Sequence, residues 1–370
     1  MNDSRLAGLI IREKDPENLE YPFSTLDSVI TPNDRFFVRS HFPALPPLEA
    51  RTWRLRVEGA VDKPYEIGYD ALLKMPSRTL AATIECAGNG RIFLSPKARG
   101  LQWEMGAVGT AEWTGIPLAA VLERAGVQKR AVEVVLEGAD TGEITEEPKS
   151  PGKISFARSI PIKKAQQPDV LLAYRMNGAE LTPSHGFPVR AVVPGWYGMA
   201  SVKWLVRIIV TDRPFTGYFQ TADYAYWARR DGLPAQRIPL GEVEVKAQIA
   251  RPARHEAIAA GTVYRVHGAA WTGETEVARV EVSADGGHTW EAARWRSAPL
   301  PYTWRLWEYD WKTPDRPGNM MLMARATDTQ GHTQPMERDA HRATYMISHV
   351  LPIPVQIVPA PSPSVDAWEI

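Results

Sequence analysis

Hydrophobic and polar residues alternate at Trp53, Leu55 and Val57 in ARTWRLRVEGAVDKPYEIGYDALLKM, residues 50–75, and this period of two predicts a half-buried strand. A turn follows near Asp62 to Pro64, and a short helix is expected from Tyr69. GIPLAAVLERAGV predicts a second helix, from Pro117 to about Ala125, stopped by Gly126. The unbroken apolar runs VEVVLEG and VKWLVRIIVT predict strands buried on both faces. Long amphipathic patterns are scarce and prolines number 31, so helices should be few and short and this half reads as α+β.

The pattern changes near residue 243. EVKAQIARP, GTVYRVHGAAW, VARVEVSADGGHTW, WRLWEYDW and MMLMARATDTQG predict short strands with turn residues between them, the spacing of an immunoglobulin-like all-β sandwich. SADGGHTW reads as a hairpin turn between two of these strands. The expected organisation is an N-terminal extension (1–29), an α+β catalytic domain (30–235), a polar, proline-containing linker around 226–242, a sandwich (243–358) and a flexible tail (359–370).

Length and charge narrow the function. A chain of 370 residues favours two cores, and 43 basic against 43 acidic residues leave no global field to draw nucleic acid or an anionic membrane. One cysteine excludes a disulfide framework, iron–sulfur clusters and cysteine-rich zinc sites within this chain. LAGLII near the start has neither a basic region nor twin arginines before it, so the expectation is a cytoplasmic protein, although removal of an export signal would leave the same sequence. No apolar run reaches the roughly 18 residues of a membrane span. There is no Walker loop, no G-x-S-x-G and no H-E-x-x-H, and the eight histidines are scattered.

What remains is TIECAGNGRIF, residues 83–93, which holds the single thiol, Cys86. The ordinary fate of a lone cysteine is to be a buried small hydrophobe. Three loop clusters argue otherwise: NDRFFVRSHFP, CAGNGR and SHGFPVRAVVPGWYGMASVKW set Arg, His and Lys beside Gly and Pro, where they can hold oxyanions. Each cation alone reads equally well as a solvated or capping charge.

The segments FFVRSH, ECAGNGR, GLQWEMGAVGTAEWTGIPL, LLAYRMNG, HGFPVRAVVPGWYGMASVKWL and DY (223–224), in this order, resemble the sulfite oxidase family of molybdopterin enzymes, and VEVSADGGHTW and WRLW resemble that family's C-terminal dimerisation domain. The resemblance covers roughly residues 30 to 355. It implies molybdenum held by one pyranopterin, with Cys86 as the protein's only metal ligand, a soft thiolate suited to a sulfur-rich site. Gly88 and Gly90 would let the backbone approach the cofactor. It further implies that Phe37, Val38, Arg39, Ser40, His41, Asp140, His185, Arg190, Ser201, Val202 and Lys203 hold pterin and phosphate. Arg39, Arg91, Arg99, Trp103 and Tyr224 would form the substrate pocket, with Arg342 as the C-terminal pocket arginine once a one-residue offset is allowed. Taken alone, Trp103 and Tyr224 read as core aromatics.

The activity implied is oxidation of sulfite to sulfate by oxo transfer, with electrons leaving to an external acceptor, whether a cytochrome, another acceptor or oxygen, because no haem or flavin domain is present in this chain. The dimerisation module implies a homodimer. Gly90 and Ala200 stand where animal members carry basic residues, and Arg99 where they carry lysine, so positive charge near the site is lower. A related nitrate or S-oxide reductase, or a binding protein whose sandwich mediates adhesion, stays open as an alternative.

Overall fold

The computed structural model describes residues 8–228 and 234–360. Two antiparallel-rich sheets build the first half. One runs in the spatial order Tyr65–Gly68, Arg54–Gly59, Leu205–Thr211, Glu133–Gly142, Ile154–Pro161, with Leu205–Thr211 parallel to Arg54–Gly59 and the other pairs antiparallel. The other runs Ala179–Glu180, Leu171–Met176, Val108–Pro117, Arg78–Glu85, with Arg190–Val192 also on Leu171–Met176.

Local chemistry explains these elements. In Arg54–Gly59, Leu55 and Val57 face the core while Arg56 pairs across the strand with Glu66, as the alternation predicts. Helix Leu118–Ala125 buries Leu118, Val121, Leu122 and Ala125, one stripe at i, i+3, i+4 and i+7. Gly126 ends it at φ 70°, where its N–H reaches the Leu122 and Glu123 carbonyls. The helix begins one residue after the expected Pro117 because Pro117 still pairs with Leu171.

Three expectations change. VKWLVRIIVT is buried on one face only: Leu205, Ile208 and Val210 point inward, whereas Arg207 is partly exposed and bridges Glu58 and Glu137. Residues 8–29 are integrated rather than appended: Ile10–Glu13, Asn18–Glu20 and Val38–Arg39 form a sheet, and Phe23 packs edge-on to Trp271 and Trp304. The stretch read as a linker contains a strand pair, Ala225–Ala228 with Gln236–Pro239, because Tyr226 and Trp227 favour extended backbone and find a partner strand. The tail assigned to 359–370 falls almost wholly outside the described residues.

In the second half, Lys246–Arg251, Val263–Trp271, Arg305–Lys312 and Arg294–Trp295 form one sheet, and Ala257–Ala259, Ile353–Val358, Gly318–Asp328, Val277–Ser283 and Glu291–Ala292 another. A shared core of Val266, Val280, Trp307, Leu322 and Ile353 lies between them. The SADGGHTW turn joins Val277–Ser283 to Glu291–Ala292 as expected, with Asp285 accepting from the His288 and Thr289 N–H groups. Trp304 and Trp307 are fully buried, in keeping with a structural role. His267, His288 and His332 lie in this half. Among the described residues no helix is long and apolar enough to cross a membrane.

Candidate active site

A cleft of about 660 Å³ opens where the two sheets of the first half meet, and Cys86 lines it. The thiol stands one residue beyond strand Arg78–Glu85, where the chain leaves the sheet: Cys86 N donates to Ala107 O at 2.8 Å, and Asn89 N closes a turn on Cys86 O at 2.9 Å. Gly90 adopts φ 93°, a conformation open to glycine. The glycines do not face the cleft, which corrects the expectation for them. A Cβ on Gly88 would sit 2.3 Å from Arg91 Nη2, and one on Gly90 would sit 3.1 Å from Ile347, so they admit an arginine and a segment of the second half instead.

Phe37, Val38, Arg39, His41, Asp140, His185, Arg190, Ser201, Val202 and Lys203 all line the same cleft, although they come from distant parts of the sequence. Ser40 sits just behind the wall, its hydroxyl 3.4 Å from Lys203 Nζ and its N–H on Asn18 Oδ1. Arg190 is buried with Nη1 on His185 O and Nη2 on Ser201 O, and its guanidinium carbon lies 5.0 Å from the Trp113 ring centre. Burial lowers its pKa to about 9. Lys203 reaches Ser184 O at 2.8 Å; burial, and then Arg190, lower its pKa. Burial reinforced by Lys203 and Arg190 pulls His185 down to about 3, leaving a neutral imidazole. The floor is therefore cationic, enclosed and without a balancing anion at contact distance among the described residues.

Asp140 is the complement. Burial pushes its carboxyl up, Lys203 opposing, and Oδ1 is sealed from solvent with no hydrogen-bond partner among the described residues. A buried acceptor without a donor is costly, so a ligand carrying N–H groups fits there. A thiol at one end of the cleft, an orphaned acceptor inside it and cations along it fit a pterin with a phosphate. Metal ligation through one thiol is legible only in that context, since the described residues hold no cluster of three His, Cys, Asp or Glu able to bind an ion unaided.

The pocket residues named from the sequence divide. Arg39 and Tyr224 line the cleft, and His41 Nε2 meets Tyr224 Oη at 2.7 Å. Arg91 is buried behind the Cys86 turn, with Nη1 on Leu101 O at 2.7 Å and Nε on Thr344 O at 3.0 Å. Trp103 is wholly buried and does not line the cleft; its ring abuts Phe37 at 6.5 Å, so it buttresses a wall. Arg99 is exposed on a loop, away from the cleft lining. Arg342 is also misplaced by the sequence reading: it pairs with Glu244 and Asp339, stacks over Tyr226 and faces a different cleft. Charge complementarity with those carboxylates draws it there.

Two residues at the site escaped sequence reasoning. Arg158, fully buried, donates to the Phe219, Tyr224 and Leu240 carbonyls and fixes the backbone that presents Tyr224. Tyr345, from the second half, stacks on Tyr224 with ring centres 4.9 Å apart. Periodicity could not find either: Arg158 lies in a strand, and Tyr345 lies in a loop more than a hundred residues from its partner.

Residues 41–219 match the family model described as the oxidoreductase molybdopterin binding domain, and residues 237–349 match the Mo-co oxidoreductase dimerisation domain. The chain is 36% identical over 352 residues to a sulfite oxidase of Gallus gallus, covering 90% of this chain and 74% of that protein. It is 35% identical to a mitochondrial sulfite oxidase of Rattus norvegicus, covering 90% of this chain but 62% of the relative. An NADH nitrate reductase of Solanum lycopersicum is 33% identical over 87% of this chain and 38% of its own length. The crystal structure of the sulfane dehydrogenase SoxCD from Paracoccus pantotrophus superposes with TM-score 0.79 at 28% identity, covering 97% of this chain and 95% of that one.

Proposed function

The chain belongs to the sulfite oxidase family of molybdopterin-dependent oxidoreductases, and on that premise we propose that it oxidises sulfite to sulfate by oxo transfer and passes the electrons to an external acceptor. The observation that carries this reading is the meeting, in one cleft, of the Cys86 thiol, the Arg39 guanidinium and the orphaned Asp140 carboxyl oxygen. When bound, the molybdenum pyranopterin supplies the oxo transfer and the two-electron redox chemistry. Cys86 would ligate the metal, Asp140 would accept from pterin N–H groups, and Arg190 and Lys203 would hold the phosphate.

The remaining work belongs to side chains. Arg39 offers a charged donor edge that would draw a sulfur oxyanion and orient it, which is the positioning this chemistry needs. The Tyr224 hydroxyl, poised on neutral His41, can donate to a substrate oxygen. Phe36, Phe37 and Phe156 wall the cleft with apolar surface and keep bulk water from weakening these contacts. We read the second half as an immunoglobulin-like sandwich that forms a C2 homodimer, which its match to a dimerisation module supports.

Nitrate reduction is the second reading, favoured by the nitrate reductase relative. Purified protein should contain close to one molybdenum per chain and reduce a cytochrome or ferricyanide when sulfite is added. Reduction of nitrate by a chemical donor, with sulfite inert toward every acceptor, would replace the present reading with the second.

A further inference from the structure

One short segment of the second half lies against the turn that carries Cys86. Met346 N donates to Ala87 O at 2.8 Å, Thr344 O accepts from Arg91 Nε, and Ile347 fills the space that Gly90 leaves, so residues 344–347 lie directly across the turn that carries Cys86. The side chain that this segment delivers is a tyrosine. Tyr345 is buried, stacks on Tyr224, covers the Arg91 guanidinium at 5.1 Å and donates its hydroxyl to Asp223 Oδ1 at 2.6 Å.

We propose that Tyr345 sets the charge specificity of the substrate site, making it favour a singly charged sulfur oxyanion, such as hydrogen sulfite, over a dianion. This deepens the sulfite reading above and rests on it. Three observations lead here. Arg91 spends Nε and Nη1 on backbone carbonyls, and its Nη2 lies against Gly88, so it has no two-donor edge left for a ligand. Arg39 uses Nη1 on Ser40 O and Asn18 Oδ1, which leaves a single fork in the cleft. Asp223, a carboxylate beside the site, is met by the Tyr345 hydroxyl, which brings no positive charge to offset it, and the proton of that hydroxyl is committed to Asp223 rather than to substrate. Arg39, Arg91 and Arg158 supply positive field, but a doubly charged ligand would find one fork and a nearby carboxylate where a third arginine would give a second fork and neutralise Asp223.

The test uses two tetrahedral sulfur oxyanions that differ in charge, sulfate and methanesulfonate, titrated calorimetrically into the oxidised holoenzyme. The wild type should bind the monoanion methanesulfonate at least as tightly as the dianion sulfate, which finds a single fork and a nearby carboxylate. Tyr345→Arg should move the ratio toward sulfate by about tenfold or more, and Asp223→Asn should move it the same way by a smaller factor. If Tyr345→Arg does not fold, Asp223→Asn decides alone. A wild type that prefers sulfate, or a ratio untouched by the substitutions, overturns the proposal. Sulfite turnover is followed in the same samples: its absence together with the expected anion ratios defeats the sulfite reading and leaves the charge assignment standing.

Discussion

Lys246 Nζ lies 3.0 Å from Glu85 Oε1, and both side chains are sealed from solvent. Glu85 immediately precedes Cys86, whereas Lys246 belongs to the second half, so a buried ion pair ties the two halves together one residue from the thiol. The carboxylate is otherwise well supplied: Trp271 Nε1 donates to Oε2 at 2.8 Å and Asn89 Nδ2 to Oε1 at 3.1 Å.

Removing one partner of this pair should therefore be expensive. Lys246→Met leaves Glu85 buried and unpaired, at a cost of roughly 3–5 kcal/mol, and Glu85→Gln in the same chain should recover much of it. Denaturant unfolding of the three variants measures this. Equal stability of Lys246→Met and wild type would show that this pair does not help hold the two halves together.

Cys86→Ser should fold and keep pterin, because the other cofactor contacts are spread over several segments, while sulfite oxidation collapses. The hard serine oxygen is a poor replacement for a thiolate at a sulfur-rich metal site. Near-native turnover per bound molybdenum would remove Cys86 from the chemistry.

Arg190 and Arg91 should fail differently. Arg190→Gln takes the cation from the cofactor floor, so molybdenum occupancy falls while the occupied fraction turns over almost normally. Arg91→Gln should leave occupancy intact and cost about tenfold in kcat/KM per molybdenum, since its field on the site is lost. The reverse pattern in metal analysis and steady-state kinetics would exchange the two roles.

Acid should destabilise the cofactor-free protein through its neutral histidines. His185 is drawn down to about 3 chiefly by burial, and His41 also falls well below 6.5 through burial, then Arg39 and Lys203. The unfolded chain binds protons on both below about 6.5 while the folded one does not, so their contribution is complete above that pH and is lost as pH falls toward 3. Asp140 acts with the opposite sign, since burial lifts it to about 7 and the folded state holds its proton below that. The stability difference between wild type and His185→Gln should therefore shrink by up to ~1.4 kcal/mol per unit between about pH 6 and 4. A difference that stays constant over this range, measured by urea unfolding, would show that His185 titrates normally.

Much of this site was legible in the chain. Cys86, Arg39, Asp140, His185 and Arg190 sit in short ordered segments whose residue types match a sulfur-rich metal, a pterin edge and a phosphate, and ligand chemistry constrains residue type at each position. Helix Leu118–Ala125 was equally open to reading, because its stripe and its glycine stop are local. Arg342 was misread for a complementary reason: a charge in a loop goes to whichever opposite charge the fold brings near, and here that is Glu244, almost a hundred residues away.

The sequence by itself determined the strand-rich character, the division into two halves, the single thiol of the cleft and the set of cleft cations, since these depend on local periodicity and on residue chemistry. Only the tertiary structure decided that Ile10–Glu13 and Asn18–Glu20 pair into the fold, that Gly88 and Gly90 make room for Arg91 and Ile347, and that Tyr345 stacks on Tyr224. Those outcomes depend on which distant segments share space, and side-chain packing between segments far apart in the chain leaves no periodic trace in either of them.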